Sequence, residues 1–320
     1  MGELVRVENL KKYFRNPAGM LHAVDDVTFT INDRETLGVV GESGCGKSTL
    51  GRVVLRLLEP TGGKLFFEGR DITSITEKEN IELRKQMQII FQDPNSSLNP
   101  RMSVSSLIAD PLKVFKLHKT SAERQQRVYE LMDMVGLARR FANSYPHELD
   151  GGRRQRIGVA RALALHPKFI VCDEPVSALD VSIQAQILNL LQDLQEDQGL
   201  TYIFVTHDLS VVKHISKNIM VMYLGVTVEK CESKEMFRNP LHPYTKGLLA
   251  AIPVPNIDIE KKKVELRGEL SSPIEPEPGC RFLPRCPYAS DICGSAFPPY
   301  EEIQPEHFVA CHNVREINGL

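Results

Sequence analysis

The stretch Thr36–Leu58, TLGVVGESGCGKSTLGRVVLRLL, decides how the rest of the chain is read. An apolar run breaks into glycines and resumes with apolar residues at helical spacing, so the segment reads as strand, loop and helix. Gly41, Gly46, Lys47 and Ser48 fit the pattern G-x-x-x-x-G-K-[ST]. Glycines in that pattern let successive backbone N–H groups turn inward around phosphate oxygens at the positive end of a helix. The loop Gly41, Glu42, Ser43, Gly44, Cys45, Gly46, Lys47, Ser48, Thr49 is therefore predicted to hold a nucleoside triphosphate. Lys47 is expected to reach the β- and γ-phosphates and Ser48 to ligate Mg²⁺.

Composition sets the outer bounds around that loop. A chain of 320 residues, 42% hydrophobic and 25% charged, can bury one large core and carry a small appendage. The 39 basic and 41 acidic residues leave a net charge of -2, which provides no global field for nucleic acid and disfavours a DNA-binding role. The opening MGELVRVENLKKYF has no apolar core of a signal peptide, and no run of about 18 apolar residues occurs, so the expectation is a chain neither exported nor membrane-spanning. In the cytosol its seven cysteines are not expected to form disulfides. Four of them, Cys280, Cys286, Cys293 and Cys311, crowd toward the end with gaps of five, six and seventeen residues, which suggests metal.

In chain order, VRVENL and AVDDVTFTI alternate apolar and polar residues and predict an antiparallel lead-in. Between them lie Tyr13 and Phe14, either of which could stack on adenine or be an ordinary half-buried strand aromatic. GGKLFFEGRDI reads as a hairpin, and MQIIFQDP as a buried strand ending on Gln92, a polar residue at the carboxyl end of a parallel strand, where it would face the ligand crevice. From Ser105 to about Val135 the period becomes helical, with Val128, Leu131, Met132 and Val135 on one face. YPHELDGGRRQRIGVARALALHPKFIVCDEP then opens an Arg-rich helix on a Gly-Gly pair, another candidate anion site, and ends a strand in Asp173 and Glu174. After a phosphate loop, such an acidic pair puts one carboxylate on Mg²⁺ through water and the other beside the attacking water. Arg156 and Arg161 read as structural, and Cys45 and Cys172 as small buried residues without chemistry.

LDGGRRQR, VCDEP, SALD and VTHD, following GESGCGKST and FQDP, resemble the six ordered motifs of ATP-binding-cassette transport ATPases. The resemblance implies an α/β fold: a RecA-like P-loop nucleotide-binding core with an antiparallel β subdomain and a helical subdomain. NPLHPYTKGLLAAIP (239–253), followed by a Pro-rich tail with four cysteines, is similar to the cytoplasmic ATPases of oligopeptide and dipeptide permeases. FQDPNSSLNPRM and DEPVSALDVSIQAQILNLL point to the F-type subunit of that pair. The expected organisation is a cassette over 1–231 with a helical insertion at about 93–160, two helices with the His242-Pro243-Tyr244 turn over 232–258, and a Cys-rich tail over 259–320. Within it the EKKK run and SSPIEPEPGC read as linker.

Carried over residue by residue, the resemblance implies that Asp173 holds Mg²⁺ through water and that Glu174 is the general base. Gln92 would contact Mg²⁺ and the attacking water, His207 would bind the γ-phosphate, and Asp180 would cross a dimer interface. Phe14 fits the adenine-stacking position best by its spacing, with Tyr13 second. Asp150, Gly151 and Gly152 would face the nucleotide of the opposite subunit. The usual signature there is L-S-G-G-Q, and Asp150 and Arg153 replace its serine and glutamine. A carboxylate where an anion must sit predicts two unequal ATP sites. The four tail cysteines are implied to hold a 4Fe-4S cluster, with zinc as the alternative.

The function this implies is the ATP-hydrolysing subunit of a membrane importer for di- or oligopeptides, peripheral on the cytoplasmic face. Its implied partners are a D-type paralogue, two transmembrane permease subunits and, indirectly, an extracytoplasmic solute-binding protein. A nickel or other small-solute importer of the same family is the alternative. A soluble cassette ATPase acting on nucleic acid or ribosomes is disfavoured by the single cassette and the lack of a sustained heptad pattern.

Overall fold

The structure is a computed structural model, and it describes residues 2–252 and 272–320. The expected linker over the EKKK run lies outside the described residues. The chain divides into two compact units, Met1–Ser74 with Phe204–Leu320, and Ile75–Ile203. The helical insertion expected at about 93–160 falls inside the second.

The first unit opens with β1 (Glu3–Asn16), β2 (Gly19–Asn32), β3 (Thr36–Val40), α1 (Lys47–Val54), β4 (Gly62–Phe67) and β5 (Arg70–Asp71). The second holds α2 (Glu77–Gln86), β6 (Met87–Ile90), α3 (Pro94–Ser97), α4 (Val104–Val114), α5 (Ser121–Met134), α6 (Gly151–Leu163), β7 (Phe169–Asp173) and α7 (Val181–Gln198). The strand β8 (Thr201–Thr206) carries the chain back. The first unit then continues with α8 (Leu209–Ile215), β9 (Asn218–Tyr223), β10 (Val226–Glu232), α9 (Ser233–Arg238) and α10 (Pro243–Ala250). It closes with α11 (Asp291–Ser295), β11 (Tyr300–Gln304), β12 (His307–Ala310) and α12 (Val314–Asn318).

The alternation in the N-terminal segments does what it predicts. In the first unit β2, β1, β4 and β5 form an antiparallel sheet in that order. Val5 pairs with Ile31 on one side and Phe67 on the other, and Val7 with Phe29 and Leu65, all of them buried. Each such side chain contributes about 1.5–3 kcal/mol when fully buried, so one face of this sheet is committed to the core. The short strand β3 is buried along its whole length and pairs in parallel with β9. Gly38 in its middle admits α8, since a Cβ there would lie 2.6 Å from Ser216 Oγ and 3.1 Å from the Val212 side chain. In the second unit β6 and β7 pair in parallel; β7 is buried throughout, whereas β6 is partly exposed at Gln88 and Ile89 and stops at Ile90, short of the end expected at Gln92. The α5 face expected from periodicity is fully buried at Val128, Leu131 and Met132, with Val135 just beyond the helix end.

The end of the chain is woven into the first unit. The strand β12 pairs antiparallel with β10, Glu229 opposite Val309, and β11 pairs with β12. Glu229 is fully buried. It accepts hydrogen bonds from the Leu241 and His242 N–H groups at 2.7 and 3.0 Å, and its carboxylate lies 2.8 Å from His307 Nε2. A buried carboxylate survives only with such partners, so Glu229 ties β10, the turn before α10 and β12 together. Among the described residues no helix is long and apolar enough to cross a membrane.

His242 caps α10, its Nδ1 accepting the Tyr244 N–H at 3.1 Å. Burial pushes its pKa down to about 4 against the pull of Glu229. A histidine neutral when folded and titrating near 6.5 when unfolded leaves the unfolded chain binding more protons between those values. Stability is therefore full above about pH 6.5 and falls as pH drops toward 4. Urea midpoints should decline over that window, and His242→Asn, which keeps a capping oxygen, should flatten the decline by on the order of 1–3 kcal/mol. An identical pH slope in the variant would show that His242 does not carry it.

Candidate functional site

In the first unit the phosphate loop leaves the buried strand β3 and enters α1 through three glycines in the left-handed half of backbone space, Gly41 (φ 153°), Gly44 (78°) and Gly46 (103°). Two of them are also pressed against other backbone. A Cβ on Gly46 would lie 2.0 Å from the Ala23 carbonyl oxygen, and one on Gly41 2.2 Å from that of Met222. Gly46 is the N-cap of α1 and offers no side chain to its first N–H groups, which suits them to phosphate oxygens. Lys47 is buried, and its Nζ donates to the Gly41 and Glu42 carbonyls at 2.8 and 2.9 Å. Its ammonium is thereby held inside the loop. Cys45 is buried, and burial pushes its thiol up. His207 follows β8 as an exposed residue.

Glu42 in this loop has partners from far along the chain. Its N–H donates to the Tyr244 hydroxyl at 2.9 Å, and its carboxylate accepts a two-pronged pair from Arg285 at 2.8 and 3.1 Å. Neither partner was identified from the sequence as part of the site, because nothing local marks a contact over 202 or 243 residues. The two candidate adenine-stacking residues also separate. Tyr13 stacks on His22 with ring centroids 3.9 Å apart and hydrogen-bonds Asp25, which Arg281 also pairs. Burial works to raise the Asp25 carboxyl, but the bonds from Tyr13 and His22 and the Arg281 charge hold it below the usual range. Phe14 carries the Lys12 ammonium 5.0 Å from its ring centre.

In the second unit Gln92 and Glu174, 82 residues apart, meet: Gln92 Nε2 donates to Glu174 Oε2 at 3.0 Å. Glu174 directly follows β7 and has φ 48°, a left-handed conformation that a non-glycine residue holds only where its surroundings enforce it. Ser177 helps do so, its N–H and hydroxyl donating to the Glu174 carbonyl. Asp173, the last residue of β7, is buried. Arg161 reaches the Ser97 carbonyl and Arg156 that of Val135, so both act as structural ties.

Two helices of the second unit begin on aspartates. Asp150 caps α6, accepting the Arg153 N–H at 2.8 Å while its other oxygen lies 3.1 Å from the Arg153 guanidinium. Asp180 caps α7, accepting the Ile183 N–H at 3.0 Å. The Gly151-Gly152 pair lets the helix starts approach, since a Cβ on Gly152 would meet Ile183 at 2.7 Å and one on Gly151 would meet Leu179 at 3.0 Å.

The four tail cysteines belong to the first unit and sense one another. Burial, then the nearby Cys293 and Cys286, push Cys280 up to about 11, and burial with the other three thiols pushes Cys311 up to about 12. Their chemistry suits a soft metal, but among the described residues no three His, Cys, Asp or Glu side chains are gathered closely enough to hold one. Here the structure departs from the expected cluster. The physical reason lies in the side chains as they stand: burial pushes Cys280, Cys286 and Cys311 toward the thiol form, and Cys293 Sγ lies 3.5 Å from the Ser290 hydroxyl.

A glycine-built phosphate loop opening a helix beside a buried parallel strand defines a P-loop nucleotide-binding protein. The family described as ABC transporter matches residues 24–177, and the oligopeptide/dipeptide transporter C-terminal region matches residues 228–293. The chain is 51% identical over 306 residues to the oligopeptide transport ATP-binding protein OppF of Salmonella typhimurium, covering 95% of this chain and 91% of that one. It is 49% identical over 319 residues to the oligopeptide transport ATP-binding protein AppF of Bacillus subtilis, covering 97% of each. Among solved structures, a dimeric post-hydrolysis state of the ATP-binding cassette MJ0796 bound to ADP and Pi matches with a TM-score of 0.66 at 30% identity, over 72% of this chain and 99% of that one. The chain belongs to the ABC transporter ATPases, in the group that carries the oligopeptide/dipeptide transporter C-terminal region.

Because the loop backbone has no room for a side chain at Gly46, Gly46→Ala should weaken ATP binding about ten- to hundredfold, the equivalent of on the order of 1–3 kcal/mol of strain. A titration with a fluorescent ATP analogue reads this directly, and unchanged affinity would show that the loop is not the binding element.

Proposed function

We propose that the chain is the F-type ATPase subunit of a di- or oligopeptide importer, bound peripherally under two permease subunits and paired with a D-type paralogue. What supports the cargo class is the C-terminal region over residues 228–293, which contains the His242-Pro243-Tyr244 turn, and relatives of about half identity named for oligopeptide transport. What carries the hydrolytic role is the strained Glu174 held by Gln92 at the end of β7.

Phosphoryl transfer asks a protein chiefly for positioning and charge neutralisation. The backbone N–H groups from Gly41 to Thr49 cradle the phosphates, and Lys47 neutralises the β- and γ-oxygens. Phe14, at the family's spacing after the segment VRVENL, stacks on adenine. Glu174 accepts the proton of the attacking water, which Gln92 orients, and His207 binds the γ-phosphate. Ser48, Gln92 and Asp173 would hold Mg²⁺, which when bound would supply further positive charge at the phosphates. Asp180 reaches the partner subunit's site.

The signature at Asp150, Gly151 and Gly152 serves the nucleotide bound on the partner. Asp150 brings a carboxylate toward that anion, and the exposed Arg153 offsets it only weakly. The partner's nucleotide is therefore turned over slowly, while the nucleotide on this chain's own loop meets the partner's signature and is hydrolysed. In the assembled complex, Asp150→Ser keeps a capping oxygen and should raise total ATPase activity severalfold, whereas Glu174→Gln should lower it about a hundredfold with ATP binding retained. Unchanged activity in the first variant would remove the asymmetry, and full activity in the second would remove Glu174 as the base.

The finer reading of the tail is a structural 4Fe-4S cluster on Cys280, Cys286, Cys293 and Cys311. The crowding of four cysteines into one short stretch of sequence and the poverty of that segment in apolar residues support it. Ligation would replace the thiol protons and draw the sulfurs together. Protein purified without oxygen should contain about four irons and four sulfides per chain, lost in Cys293→Ser. Zinc alone, or no metal, would retire this reading.

A further inference from the structure

The carboxylate of Glu42 sits within the phosphate loop itself, one residue after Gly41, and its carbonyl is one of the two that hold Lys47. An anion at that point works against binding another anion unless it is neutralised. The neutralising group comes from the far end of the chain. Arg285 ends a short turn, Leu283–Arg285, directly after Phe282. Phe282 is buried against Tyr223 of β9 and Tyr244 of α10, with ring centres 5.2 and 5.5 Å away. That aromatic anchor aims Arg285 at Glu42, where both prongs of the guanidinium engage both carboxylate oxygens. The pair is largely shielded, the side chains being 10% and 24% exposed, so solvent screens it little. Tyr244, from the same aromatic group, holds the Glu42 N–H. All of these residues belong to one compact unit.

We propose that Arg285 is a positioning residue of the ATP site: it acts through Glu42, cancelling a carboxylate that would otherwise repel the bound phosphates, so that the C-terminal segment completes the phosphate loop of its own chain. This rests on ATP being the ligand of the loop. Arg281 makes a parallel tie four residues earlier, pairing with Asp25 beside Tyr13 and reaching the Leu224 carbonyl. Arg281 and Arg285 adjoin Cys280 and Cys286, so the turn that carries the two thiols also carries both ties.

The test separates charge from packing. ATP affinity is measured with a fluorescent analogue on the full chain, and KM and kcat on the assembled complex. Arg285→Gln should weaken ATP binding and raise KM about tenfold with little change in kcat, because the lost term acts on ground state and transition state alike. Glu42→Gln should bind ATP at least as tightly as the wild type, and the double variant should recover affinity to within about twofold of it. Arg285→Lys, which keeps the charge but loses the fork, should fall between wild type and Arg285→Gln. A double variant as weak as Arg285→Gln would overturn the proposal and leave Arg285 as packing only. So would unchanged affinity in Arg285→Gln, or weakened affinity in Glu42→Gln. Failure of the wild type to bind ATP would instead strike the ATPase reading.

Discussion

Backbone packed on backbone is the constraint from which the nucleotide-binding unit follows. The phosphate loop can face its N–H groups inward only with left-handed residues, and at Gly41 and Gly46 the carbonyls of Met222 and Ala23 occupy the space a Cβ would need. Those two carbonyls belong to β9 and β2, so the loop keeps its shape only while both strands are in register beside it. The buried face of β1, β2 and β4 holds one of these neighbours, and the parallel pairing of β3 with β9 holds the other. Lys47 adds a polar tie across the loop, its ammonium satisfied by the carbonyls of Gly41 and Glu42.

The second unit uses local strain and helix ends. Glu174 holds a left-handed conformation at the end of a fully buried strand, and Ser177 and Gln92 bind its carbonyl and carboxylate respectively. A side chain held in this way has little conformational freedom left to lose. Asp150 and Asp180 each cap a helix, so each carboxylate already serves the start of its own helix. Asp150 is thus a stable local choice at the start of α6.

The C-terminal segment enters the first unit by two routes of different physics. One is the buried Glu229, which joins β10, the turn before α10 and His307 of β12 through hydrogen bonds that a charge without solvent requires. The other is the aromatic group of Tyr223, Tyr244 and Phe282, which adjoins the Arg285 and Glu42 pair. The consequence is a family-specific tail that touches the phosphate loop by side chain and by backbone, and so is well placed to influence the nucleotide.

Much of this was legible in the sequence, because periodicity and glycine chemistry act over a few residues. The strand, loop and helix from Thr36 onward, the alternation of β1 and β2, the α5 face and the ordered ATPase motifs are all local patterns whose structural meaning depends on neighbours in the chain. Contacts over long separations were decided only by the tertiary structure. Gln92 on Glu174, and Tyr244 and Arg285 on Glu42, depend on where distant turns are packed, which no spacing encodes. The four tail cysteines show the boundary between the two. Their number and type could be counted in the sequence and suited a metal, but the distance between their sulfurs is set by the loops that carry them, and those loops are positioned by Phe282 and by the strands β11 and β12.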